Sequence, residues 1–67
     1  MVEPGQLRRW IPDDAKDPGE VFMILQIIRP NPLDKNEVYV EFLNGVSAEW
    51  DELIWIEEWS EVISEGG

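Results

Sequence analysis

Tryptophan and carboxylate interleave through the end of the chain: Glu49 to Gly67 hold three tryptophans and seven acids, with no Lys, Arg or His. An indole face is the negative side of a quadrupole, so a tryptophan flanked by carboxylates attracts a cation; a flat aromatic surface also stacks on proline. Trp10, Tyr39, Trp50 and Trp55 are the aromatics that would present such faces to a partner. Glu37, Glu41, Glu49, Asp51 and Glu52 form their acidic surround. Core packing competes for every one of these aromatics, because a chain this small needs large buried side chains. Most of the four Trp, two Phe and one Tyr are therefore expected in the core.

Other chemistry is poorly supplied. Ser47, Ser60 and Ser64 have no histidine to activate them, since the chain contains none, and without cysteine there is no thiolate, disulfide or Cys-ligated metal. Two carboxylates could act as acid and base only if held at fixed separation in a cleft, which a core of this size does not readily enclose. Asp13, Asp14 and Asp17 miss the calcium-loop pattern, because Ala15 takes the third position and Pro18 precedes Gly19. No glycine-rich phosphate loop is present. The chain is read as a non-enzyme with no catalytic, metal or cofactor-binding residue and no cofactor.

Net charge is −10 over 67 residues, unevenly placed. All five bases precede Asn36, whereas residues 36–67 carry nine acids and no base. Nucleic acid and membrane surfaces are polyanionic and would repel such a chain, so neither is expected as a direct partner; a protein is. MVEPGQLRRW has no apolar signal core, and VFMILQII is far shorter than a membrane span. The expectation is a cytoplasmic protein.

One domain over residues 1–67 is expected, with 64–67 as a flexible tail. Pro4 to Ile11 reads as a strand stopped by Pro12, and DDAKDPGE as a loop. Val21 to Ile28 is apolar on both faces, so it reads as a strand covered on both sides or bent to serve two parts of a core. Its surplus apolar surface also suits a homodimer. Two prolines make residues 29–36 an exposed connection. EVYVEFL alternates, with Val38, Val40 and Phe42 on one face, and Asn44-Gly45 predicts a hairpin returning from about Val46. Residues 54–65 stay open. Trp55, Ile56, Trp59, Val62 and Ile63 share one side of a helical wheel, yet β-branched and aromatic residues equally suit a strand over 49–56, a turn at Glu57 to Trp59 and a last strand. On the second reading Trp59 plugs the end of a barrel.

PGQLRRW, GEVFMILQI, NEVYVEFLNG and WSEVIS, in that order, resemble the small SH3-like barrel proteins encoded by tailed bacteriophages. The resemblance covers most of the chain through short motifs. It implies an all-β fold, a five-stranded barrel with a short helical turn before the last strand, and an accessory protein acting through protein–protein contacts in a bacterial host cytoplasm. Two departures stand out: Val46 to Trp59 is longer than such barrels need, and Ser60 occupies a position usually apolar.

Two alternatives accompany that reading. The nine acids after Asn36 could imitate a row of phosphates and block a DNA- or RNA-binding protein. The Gly66-Gly67 end resembles that of ubiquitin-like sulfur carriers, whose terminal carboxylate is activated.

Overall fold

The computed structural model describes residues 1–12 and 19–66. Residues 13–18, with the Asp13, Asp14 and Asp17 spacing, lie outside the described residues, as does Gly67.

Five strands and one helix follow in chain order: β1 (Leu7–Trp10), β2 (Val21–Ile28), β3 (Tyr39–Asn44), β4 (Ser47–Glu52), α1 (Leu53–Trp59) and β5 (Ser60–Ser64). All pairings are antiparallel, in the order β4-β3-β2-β1-β5. The all-β expectation with a helical turn before the last strand holds at that level. β4 and β5 stand at opposite ends of the order, so the sheet is open where a closed barrel is expected.

Alternation assigns the faces. Val40 and Phe42 of β3 and Phe22 and Ile24 of β2 point inward, and with Val2 and Ile56 they form the core. Val38, just before β3, is buried as well. Trp10 packs against this cluster, its ring stacked on Phe22 at 4.6 Å and edge-on to Phe42 at 5.8 Å.

β2 is not covered on both sides: Val21, Met23 and Leu25 are exposed. Its register with β3 shifts between Ile24 and Gln26. An extra residue there bends the strand, so that Phe22 and Ile24 serve the core before the bulge and Ile27 packs on it afterwards.

At the hairpin, Asn44 belongs to β3 and pairs with Ser47, leaving Gly45-Val46 as the two-residue loop. Gly45 has φ +65° and Val46 is not in positive φ. Glycine at the first central position is the II′ pattern, whose twist matches the flanking strands.

The open question over 54–65 resolves as a short helix between two strands, so 53–56 are helical and not strand. Glu52 caps α1 without a side-chain hydrogen bond, and the helix is anchored by Ile56, which is fully buried, and by Leu53 packed on the core. The helix ends at Trp59 because Ser60 is claimed by the sheet, opposite Trp10. Ser64, placed by the sequence in the tail, is the last residue of β5.

Candidate functional site

β1 and α1 bring three tryptophans together. Trp10 ends β1, while Trp55 and Trp59 are four residues apart and so share one face of α1. With Ile11 and Asp51 they line an open groove of about 410 Å³. Ile11 N–H donates to the Trp59 carbonyl at 2.8 Å, which ties the end of α1 to the chain leaving β1. Trp55 and Trp59 are nearly half exposed, at 45% and 47%. Trp59 is thus a groove wall and not a plug; Trp10 packs on the core, while Trp50, Trp55 and Trp59 are exposed.

Asp51 reaches this groove by strand parity. It lies opposite Val40, as Glu49 lies opposite Phe42, and both partners point inward. β4 therefore turns two carboxylates to the concave side of the sheet. A second concavity of about 590 Å³ continues from the first through Trp10 and Asp51 to Glu20, Asn44 and Glu49. There the Asn44 amide Nδ2 donates to Glu20 Oε2 at 3.2 Å and to Glu49 Oε2 at 3.4 Å, holding two carboxylates about one nitrogen. The pair of concavities makes a trough with an indole-lined section and an acidic one, open to solvent along its length.

Gly19 shapes the corner beside it. Its φ is +78°, and a Cβ there would lie 2.1 Å from the Trp10 carbonyl oxygen. Only glycine allows that approach, which brings Glu20 close enough for its carbonyl to accept the Trp10 N–H at 3.0 Å.

Eight of the nine residues singled out in the sequence divide into two groups on opposite faces. Trp10, Trp55, Glu49 and Asp51 belong to the trough. Glu41 and Trp50 are paired across β3 and β4, as are Tyr39 and Glu52, and all four take the opposite parity, on the convex face. There Tyr39 and Trp50 meet edge-on at 5.4 Å, and Trp50, 65% exposed, also reaches the rim of the second concavity beside Ala48, where β4 forms the sheet edge. Glu37 precedes β3, its N–H donating to the Asp34 carbonyl, and joins neither group. Sequence reasoning missed Trp59 and Glu20 as trough residues. The i, i+4 spacing of Trp55 and Trp59 carried the first of these; nothing local carried the second.

Behind the trough lies a buried polar cluster. Arg8, 5% exposed, donates from Nε to Ser60 Oγ (2.7 Å), from Nη1 to Gln6 Oε1 (2.8 Å), and from Nη2 to the carbonyls of Ser60 (3.1 Å) and Ile56 (3.4 Å). Ser60 Oγ donates to the Ile56 carbonyl. Burial pushes the Arg8 pKa down, opposed by Glu57 and Glu65. Ser60 is polar where the resemblance leads one to expect an apolar residue because it serves this guanidinium. Gln6 Nε2 donates to Glu65 Oε2 at 3.3 Å, and a Cβ on Gly66 would lie 2.4 Å from the Gly5 carbonyl oxygen, so Glu65 and Gly66 lie against the first turn.

Among the described residues, no group of three or more acidic side chains is placed to hold a metal ion, and no helix is long and apolar enough to cross a membrane. No protein-family model, curated protein or solved structure matches the chain.

Proposed function

We propose that the chain is a non-enzymatic interaction module that binds a positively charged segment of a partner protein in the tryptophan–carboxylate trough. The observation that carries this reading is the arrangement of Trp10, Trp55 and Trp59 about Asp51 in one open groove. Indole faces attract a cation most strongly where a carboxylate stands beside them and water is partly excluded. A net charge of −10 adds long-range attraction for a basic partner.

The strand order, with a helical turn before the last strand, suits an SH3-like barrel opened between β4 and β5. Imitation of nucleic acid is the weaker reading, because it needs carboxylates along one face. Those of β3 and β4 divide, Glu49 and Asp51 to the concave side and Glu41 and Glu52 to the convex side.

The test is titration with an arginine-rich peptide, followed by tryptophan fluorescence and by calorimetry. Binding is expected to change the emission of Trp55 and Trp59. Asp51→Asn and Trp55→Ala are each expected to weaken it about tenfold, equivalent to ~1.4 kcal/mol. Leu33→Ala, in the exposed connection between β2 and β3 and away from the trough, is expected to leave affinity unchanged. Equal binding by the trough variants and the native chain would overturn the proposal.

A further inference from the structure

The trough runs beside an unpaired strand edge. Among the described residues β4 ends the sheet, pairing with β3 on one side and with no strand on the other, and all six of its residues are exposed. Strand parity decides which of its backbone groups face that open side. Leu53 N–H donates to the Val38 carbonyl at 2.9 Å, one step beyond the Glu52–Tyr39 pair. Antiparallel ladders alternate, so Asp51, Glu49 and Ser47 turn their N–H and C=O groups toward β3. Ala48, Trp50 and Glu52 turn theirs to the open edge. Glu52 N–H is capped by Asp51 Oδ1 at 2.8 Å. The edge groups of Ala48 and Trp50 are the ones positioned to receive another strand.

We infer that β4 is a docking strand, and that its occupant is an extended segment of a partner protein in which basic and apolar residues alternate. A strand added at Ala48 and Trp50 makes main-chain hydrogen bonds there, and its own side chains alternate between the two faces. Residues opposite Glu49 and Asp51 point into the trough, where two carboxylates and the indoles of Trp10, Trp55 and Trp59 receive a cation. Residues opposite Ala48 and Trp50 point to the convex face, where the exposed Trp50 ring offers apolar surface. The register therefore specifies the partner's pattern. Charge also argues against a second copy of this chain: pairing β4 with β4 would bring Glu49 and Asp51 of one molecule against the same carboxylates of the other. Inward-facing charges of this kind protect an edge strand from self-association while leaving it open to a basic strand.

This inference rests on the trough as a cation-binding site, and the experiment separates the two. The probe is a synthetic peptide of alternating arginine and valine, compared with a peptide of the same composition in which arginines and valines are segregated. Strand addition is expected to favour the alternating peptide about tenfold or more. It is also expected to protect the Ala48 and Trp50 amides, and not those of Glu49 and Asp51, in a hydrogen-exchange difference experiment. Ala48→Pro removes only an edge-facing N–H, so it is expected to keep the circular dichroism of the native chain and lose the preference between peptides. N-methylating alternate backbone nitrogens of the alternating peptide tests the same bond without altering the protein. If both peptides bind equally, and Ala48→Pro and N-methylation change nothing while Asp51→Asn still weakens binding, strand addition is overturned and the trough stands. If neither peptide binds the native chain, both proposals fail.

Discussion

Arg8 shows how one residue links the two ends of the chain. Its guanidinium is buried with neutral acceptors only, and the planar fork reaches Gln6 on one side and Ser60 and Ile56 on the other. Burial favours the neutral form, which is why the pKa falls, with Glu57 and Glu65 opposing at longer range. A base whose folded pKa lies below its unfolded value costs stability at every pH where both states are charged. That cost is relieved only as pH rises through the lowered value, in the strongly alkaline range where arginine titrates, so Arg8 gives stability no slope near neutrality. Arg8→Lys keeps a charge but replaces the fork with a compact ammonium that cannot span Gln6 and Ser60. It is expected to cost about 2 kcal/mol in urea unfolding, and Arg8→Met a similar amount by stranding the acceptors. Ser60→Ala should cost less in the Arg8→Met background than in the native chain, by about 1 kcal/mol, because the two share bonds. Lysine fully replacing arginine, or strict additivity with Ser60→Ala, would contradict this account.

At the scale of elements, the strands were legible where period and turn chemistry agreed. Val38, Val40 and Phe42 are all buried as their alternation predicts, and Asn44-Gly45 marks a hairpin even though Asn44 stays in the strand. α1 was less legible because its length is set from outside. The wheel of Trp55, Ile56, Trp59, Val62 and Ile63 points to a longer helix, but only Ile56 of the five is buried. Ser60 is drawn instead into pairing with Trp10 and bonding with Arg8, interactions 50 or more residues away in sequence. The site was half legible for the same reason: residue types named Trp10, Trp55, Glu49 and Asp51, but separating them from Tyr39, Trp50, Glu41 and Glu52 needed the β3–β4 register. A seven-residue helix without a side-chain cap holds its place through packing, not propensity. Ile56→Ala is therefore expected to cost about 3 kcal/mol and to weaken peptide binding by releasing the Trp55 and Trp59 wall. Calorimetric unfolding and the arginine-rich peptide titration check both effects. A variant that loses stability but binds normally would show that the wall does not depend on the anchor.

For the molecule as a whole, charge acts on stability and on binding with opposite signs. Fifteen acids against five bases leave a net charge of −10 on a chain whose accessible surface is 4912 Å². Like charges on so small a surface repel, and unfolding relieves that repulsion by moving them apart. Among the described residues one salt bridge opposes it, Arg9 to Glu61 at 2.6 Å, and because both side chains are substantially exposed the pair contributes less than about 1 kcal/mol. Added salt shortens the screening length to about 10 Å at 0.1 M, weakening both terms, and the repulsion involves many more pairs. Thermal stability is therefore expected to rise with salt, by about 1 kcal/mol or a few degrees in Tm between low and physiological ionic strength. Attraction for a basic segment is screened by the same ions, so the affinity for the alternating arginine–valine peptide should fall over that range. Scanning calorimetry and titration in one sodium chloride series measure both. A Tm that falls with salt would mean that specific ion pairs outweigh the net repulsion; affinity indifferent to salt would mean that the trough holds its ligand by aromatic and backbone contacts, with the carboxylates as bystanders.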